Sequence, residues 1–433
     1  MKEEFLHFIW DHSLFDKSSL KTVTGDKLEI LSTGMPNTNS GPDFFNARIR
    51  IGETTWAGNI EIHPKSSHWF QHKHETDQAY SNVILHVVEH YDKPVIIKGE
   101  ELPTLELRYS PKLLENFEQL LKSKQWIACE EKLHSVDPFI LRFWYSSLMI
   151  ERLQAKTEDI LQILRQNANN WNETFYQLLS RNFGMKTNAI PFELLARSLP
   201  LQILSKHKNN LFQLEALLFG QAGLLNEMLL GDDYFLELRN EYSFLHKKYN
   251  LPGVDAHLWK FMRLRPVNFP TIRIAQLAAL VHQSSALFSR ILEIEDLDEL
   301  RKLFEVTASN YWDTHYRFNK PSAENRPKHL GETIFQNLVI NTIAPLLFVY
   351  GEQHSSQAMK DLALYFLEKL PPELNQITDK WNERGIESRS AFESQALIQL
   401  KKQYCENKKC LHCQLGAKII ISIKQSDDEP AIQ

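Results

Sequence analysis

Between Gly41 and His90 the chain packs acidic and imidazole side chains into one short segment. It reads Gly41-Pro42-Asp43-Phe44, then Gly58-Asn59-Ile60-Glu61-Ile62-His63, then Trp69-x-x-His72-x-His74-x-x-Asp77, then Leu85-His86-Val87-Val88-Glu89-His90. Asp43 and Glu61 offer hard oxygen donors suited to Mg²⁺ or Mn²⁺. His63, with His72 or His74, moves the preference toward Mn²⁺ or Zn²⁺. A divalent metal held this way usually does hydrolysis. Asp43, Glu61 and His63 are the candidate catalytic residues, with His63 a further ligand or a general base near neutral pH.

The elements that must position these groups alternate in period. Glu3 to His12 has helical spacing. Leu28 to Leu31 reads as a short strand, and Thr33 to Pro42 as a Gly/Pro/Asn/Ser loop. Phe45 to Ile51 and Thr55 to His63 alternate like half-buried strands. Residues two apart in a strand share a face, so Glu61 and His63 point together to where Asp43 can meet them. Ser66 or Ser67 caps an expected helix carrying Trp69 to Tyr80. On that helix His72 and His74 would diverge, leaving at most one to share a site with Asp77; in a loop both can converge. Asn82 to Val88 is nearly all apolar, as in a buried central strand. Within it His86 reads as a hydrogen-bonded core histidine, and His90 as a solvated strand end. Val95 to Lys98 and Thr104 to Tyr109 are expected to extend the sheet. The competing reading is structural: Asp43 turns the loop after Pro42, Glu61 pairs with a lysine, and the histidines are surface or core residues.

From Pro111 onward the apolar period becomes helical. Phe143 to Leu164, Phe175 to Phe183, Phe192 to Leu204, Leu211 to Leu230, Tyr234 to Tyr249, Ile272 to Leu292, Ile334 to Val349, Met359 to Leu370 and Ala391 to Tyr404 read as amphipathic helices. The spacing therefore predicts an α+β chain: a sheet domain over 1–112, a helical domain over 113–424 and a flexible tail over 425–433.

Three of the four cysteines, Cys405, Cys410 and Cys413, fall within nine residues. Thiolates so spaced can hold Zn²⁺ or an iron–sulfur cluster, with Cys129 or a distant histidine as the fourth ligand. In the helical part, Arg263, Arg265 and Arg273 surround a Pro-rich loop that leads into a helix, a natural phosphate cradle. Lys65, two residues past His63, could add its charge. Tyr311-Trp312-x-x-His315-Tyr316-Arg317-Phe318 interleaves aromatics with a base and could stack nucleobases, although aromatics more often fill a core.

The totals narrow the field. A net charge of -5 excludes a chain that is basic throughout, so nucleic-acid contact requires a local patch. Only 15 glycines fit a mostly helical chain. Met1 to Phe5 lacks an apolar signal core, no stretch approaches the length of a membrane span, and the run Ile340 to Tyr350 reads as a buried helix. A cytoplasmic location with no membrane partner is expected.

The order helix, strand, strand, strand, helix, strand, with Pro42-Asp43 entering one strand and Glu61-Ile62-His63 on the next, resembles the PD-(D/E)xK, or restriction-endonuclease-like, nuclease superfamily. The resemblance covers about a quarter of the chain. It implies that Asp43 and Glu61 bind Mg²⁺ or Mn²⁺, that Glu3 or Glu4 can add an acid, and that the substrate is DNA or RNA. His63 stands where the family has a lysine. The very-short-patch mismatch-repair endonucleases also lack that lysine, and His63, Trp69, His72 and His74 are similar to their His and Trp-His-x-His arrangement. The whole chain also resembles an uncharacterised bacterial domain-of-unknown-function family, through Gly-Pro-Asp-Phe, Ile-Glu-Ile-His and the Cys-rich C-terminal signature. A metal-dependent nuclease, or a nucleic-acid-binding protein derived from one, is the leading expectation. A non-catalytic protein that keeps the fold, and a metal hydrolase of small substrates, are the alternatives.

Overall fold

The computed structural model describes residues 2–226, 231–284 and 286–422. The expected tail over 425–433 and the end of the helix expected to reach Leu230 lie outside them. Contacts between described residues divide the chain into two units. One runs to Trp144 and resumes at Leu400; the other covers Tyr145–Gln399.

In the first unit, α1 (Lys2–Asp11) buries Phe5, Leu6, Phe8, Ile9 and Trp10 along one stripe. Glu3 and Glu4 in its first turn complement the helix dipole. A mixed sheet follows, from β1 (Leu28–Ser32), β2 (Met35–Pro36), β3 (Phe44–Ile51), β4 (Thr54–Lys65) and β5 (Val83–His90). A hairpin of β6 (Ile96–Ile97) and β7 (Glu100–Glu101) stands apart, and β8 (Thr104–Glu106) closes the sheet. The sheet order is β1-β3-β4-β5-β8, with β2 on β3. β3 pairs antiparallel with β1 and β4, whereas β4, β5 and β8 run parallel. Residues 83–88 are all buried, as the apolar run requires of a central parallel strand. Of the two further strands expected in the sheet, only the second joins it. Ile96–Ile97 instead folds back on Glu100–Glu101 through Gly99, whose φ is 89°.

Two register breaks fall beside the acidic residues. One lies between Phe44 and Ala47, where Asn46 takes a left-handed φ of 56°; the other lies between Asn59 and Ile60. Bulges re-aim side chains, and here they flank Asp43 and Glu61. Gly58 lies just before the second. A Cβ there would lie 2.4 Å from Ile84 Cγ2 and 2.7 Å from the Asn82 carbonyl oxygen. Gly58→Ala is therefore expected to cost about 1–3 kcal/mol, read as a lower denaturation midpoint with unchanged slope.

The segment from β4 to β5 is less helical than its sequence predicts. α2 covers only His68–Gln71, and two 3₁₀ turns follow, His74–Thr76 and Gln78–Asn82. Lys73 ends the helix with a φ of 63°, and Asp77 is extended while its side chain caps Ala79 N. Trp69, Tyr80, Val83, Val95 and Leu102 form a core beneath this segment.

The C-terminal segment belongs with the sheet. The helix Gln414–Ile421 packs on α3 (Pro111–Lys122), where Asn116 Nδ2 donates to the Ile420 carbonyl at 3.1 Å. The ammonium of Lys408 donates to the Ser123 carbonyl at 3.1 Å.

The second unit is helical, with a small hairpin, His315–Arg317 on Lys320–Pro321. Proline and loop residues cut two expected helices. Phe192 to Leu204 divides at Pro200 into Met185–Ser198 and Leu201–Lys206, and Ile272 to Leu292 into Pro270–Gln283 and Leu287–Ile291. The helix over Glu332–Gln353 is long and apolar enough to cross a membrane, which corrects the expectation that no stretch approaches that length; 78% of its apolar window is buried within the protein.

Candidate metal centre

The parallel pair β4–β5 and the segment joining its strands bring the histidines together. Glu61 and His63 share one face of β4, as strand period predicts. The left-handed backbone at Lys73 turns the chain between His72 and His74, so the two converge rather than diverge. Their ligand-competent nitrogens and that of His63 all lie within 4.8 Å of one another. His63 Nε2 is 3.1 Å from His72 Nδ1. Glu61 Oε1 is 3.4 Å from His63 Nε2 and 3.2 Å from His74 Nε2. A tetrahedral ion with metal–nitrogen bonds near 2.0–2.1 Å requires ligand atoms about 3.3 Å apart. These three pairs match that size, and the three histidines, without Glu61, form the mutually close group.

Packing holds the rings in place. His74 stacks on Tyr80 at 3.8 Å between centroids, and Trp69 meets His74 and His86 edge-on at 5.3 and 5.4 Å. His63 Nδ1 lies 2.9 Å from His86 Nε2. With His63 Nε2 turned toward a cation, the ring proton sits on Nδ1 and donates to His86, the device that fixes a ligand's tautomer. His86 is thus the hydrogen-bonded core histidine its sequence suggests, and its bond serves the centre.

Asp43 is a brace in this arrangement. Its backbone N–H donates to Glu61 Oε2 at 3.2 Å, and its Oδ2 accepts from Ile62 N at 2.9 Å. His7, absent from the expected set, places Nε2 3.2 Å from the same Oδ2. The i, i+4 spacing of Glu3 and His7 on α1 was the available signal. Lys65 is exposed at the end of β4, and its charge acts on Asp92.

Electrostatics without a cation are unfavourable for charge here. Burial, reinforced by Asp43, pushes the Glu61 carboxyl up to about 9. Burial and the surrounding imidazoles hold His63 down at about 2, and burial holds His86 down at about 3 and lowers His74. Burial also opposes charge on His7, but the bond to Asp43 and the charges of Asp43, Glu3 and Glu61 outweigh it, and its pKa is raised. His63, His74 and His86 are thereby held toward the neutral form, the form that binds metal. Among the described residues His74 Nε2 is buried without a hydrogen-bond partner, although Glu61 Oε1 is 3.2 Å away. A shared cation would satisfy both atoms. The donor chemistry thus fits a divalent transition metal better than Mg²⁺. His63 is buried and His72 exposed, so the cluster opens to solvent on one side.

The other expected residues lie elsewhere. Cys405, Cys410 and Cys413 are in the first unit, Cys410 and Cys413 buried and all free of disulfides. Arg263 and Arg265 are exposed in the second unit. Arg273 is buried, donating to Asn268 Oδ1 at 2.6 Å and Gln276 Oε1 at 2.7 Å. Arg265, Arg273, Arg326, Lys328 and His329 line one cavity of about 700 Å³. Arg273 and Lys328 are both buried, and among the described residues neither pairs with a carboxylate. The aromatic segment turns inward: Trp312 is fully buried and Tyr311 stacks between Tyr234 and His315.

Fold and site together define an α+β protein whose mixed sheet carries a histidine-rich candidate metal centre. The chain belongs to DUF2851, a family of proteins of unknown function, whose profile matches residues 3–376. That span contains every residue of the centre and ends before the three clustered cysteines. Among curated proteins and among solved structures, nothing matches the chain.

Proposed function

We propose that the first unit is a metal-dependent hydrolase of phosphodiester bonds, with Zn²⁺ or Mn²⁺ held by Glu61, His63, His72 and His74. The observation that carries this reading is the convergence of three imidazole donors within 4.8 Å of one another, with Glu61 Oε1 at 3.4 Å from His63 Nε2 and 3.2 Å from His74 Nε2. The restriction-endonuclease-like resemblance supports the choice of substrate. Its implied order is an initial helix, an antiparallel run of strands and a crossover to a parallel strand, with an Asp entering one strand and an acid on the next. α1, β1, β3, β4 and β5 run in that sense, with Asp43 and Glu61 in those places.

When bound, the ion would supply a water of lowered pKa and a charge for the phosphoryl oxygens. The chain's own groups do the rest. Asp43 fixes the Glu61 carboxylate through its backbone N–H. His63, with one ring nitrogen toward His86 and the other toward the ligand cluster, is a ligand rather than the general base. Proton transfer falls to the Asp43–His7 pair, whose side chains are only 21% and 30% exposed. In the second unit, buried Arg273 and Lys328 without carboxylate partners favour an anion in their cavity, which supports phosphate binding. Binding to nucleic acid through this patch is expected to weaken as salt rises, and Arg265→Ala to reduce the slope of log K against log salt by about 1.

A second reading has its own observation. Glu61 and His63 are almost fully buried, which suits a metal that only holds the fold of a binding protein. Elemental analysis joined to cleavage of labelled DNA and RNA with Mn²⁺ or Zn²⁺ separates the two. Hydrolysis by the parent and none by Glu61→Gln supports catalysis. Stoichiometric metal with no turnover on either polymer supports the binding protein and sinks the nuclease.

A further inference from the structure

All four cysteines of this chain meet in one place. Cys129 is separated from Cys405 by the whole of the second unit, yet both belong to the first. Cys129 precedes the 3₁₀ turn Glu130–Ser135, which packs on the helix Gln414–Ile421. Cys410 opens the turn Cys410–His412, and Cys413 caps the same helix with Sγ accepting from Gly416 N at 3.5 Å. The Cys410 turn presses so close that a Cβ on Gly416 would lie 2.3 Å from the Cys410 carbonyl oxygen. That contact shapes Cys-x-x-Cys into a knuckle with a backbone N–H directed at the Cys413 sulfur, which offsets part of the burial that pushes this thiol up to about 11.

Every one of the six pairings of these thiols is within electrostatic reach. None forms a disulfide. Cys129, Cys410 and Cys413 are each less than one-tenth exposed. Four thiols gathered from distant parts of a chain, three of them buried and with no disulfide among them, suit a ligand set.

Their spacing selects the occupant. A single Zn²⁺ with bonds near 2.3 Å draws four sulfurs to about 3.8 Å from one another. Among the described residues, no three of these sulfurs lie within 4.8 Å of one another. An iron–sulfur cluster spreads its thiolates wider, because they bind different iron atoms across a body of inorganic sulfide.

We propose that Cys129, Cys405, Cys410 and Cys413 hold an iron–sulfur cluster that fastens the C-terminal segment to the sheet unit. Its role is structural, and it is independent of the hydrolase reading. Cys129 is the fourth ligand that the local spacing of Cys405, Cys410 and Cys413 could not supply.

The full chain, purified under nitrogen, should be coloured and contain iron and acid-labile sulfide in equal amounts. Cys129→Ser should lower both at least tenfold, while Glu61→Gln leaves them unchanged. Limited proteolysis should cut the segment after Leu400 faster in Cys129→Ser than in the parent. Because the iron and sulfide are read first in the parent, a variant that fails to fold does not decide the matter. Stoichiometric zinc without sulfide would overturn the cluster. So would four thiols that react freely with a thiol reagent in the native, anaerobic parent.

Discussion

On the proposed function, His63→Ala will empty the N-terminal metal centre and abolish hydrolysis. His63 makes the shortest of these donor spacings, 3.1 Å to His72, and lies 3.4 Å from Glu61, so it links the strand to the crossover segment. Metal polarisation supplies several kcal/mol of transition-state stabilisation, and each 1.36 kcal/mol is a factor of ten. The expected loss of turnover is therefore at least about a thousandfold. The parent should melt higher when metal is added, by about 2.7 kcal/mol of stabilisation at a hundred times the dissociation constant, and the variant should not respond. His86→Phe should keep the site but weaken metal binding about 10–100-fold, because it removes the acceptor for the His63 ring proton. Isothermal titration with Mn²⁺ and Zn²⁺ checks both. Equal affinity in parent and His63→Ala would remove His63 from the ligand set and with it the proposed centre.

The sequence made the strands legible because their alternation is dictated by one buried face, and β3, β4 and β5 lie within two residues of their expected ends. Glu61 with His63 followed from the same period. What the sequence did not reveal depends on backbone conformations that many residue types tolerate. Lys73 carries no mark of a left-handed turn, yet that turn decides whether His72 and His74 meet. The His7–Asp43 contact joins α1 to the start of β3 across distant parts of the chain, and no local pattern announces it. Cys129 likewise stands alone until the fold brings the C-terminal knuckle to it. The sequence reads Arg273 as part of a phosphate cradle where a Pro-rich loop leads into a helix, but that helix is buried along nearly its whole length, and Asn268 and Gln276 take the guanidinium's donors.

Trp69 shows how far the metal centre rests on packing rather than on its donors. Its ring is fully buried, forms the floor of the crossover segment with Tyr80, Val83, Val95 and Leu102, and touches both His74 and His86. Trp69→Ala should cost about 3–5 kcal/mol, the range for removing a buried aromatic. The cavity would lie under the short stretch that sets the positions of His72 and His74, so the loss should appear in metal affinity as well as in melting temperature. Trp69→Phe separates the two effects. Among the described residues Trp69 Nε1 is buried without a hydrogen-bond partner, so phenylalanine sacrifices no bond seen there and even relieves an unsatisfied donor. It should retain most of the stability and most of the metal affinity. If Trp69→Ala bound Mn²⁺ as tightly as the parent well below its own melting temperature, the crossover segment would hold its shape without this ring. The converging turn at Lys73 would then be the sole determinant of the site's geometry.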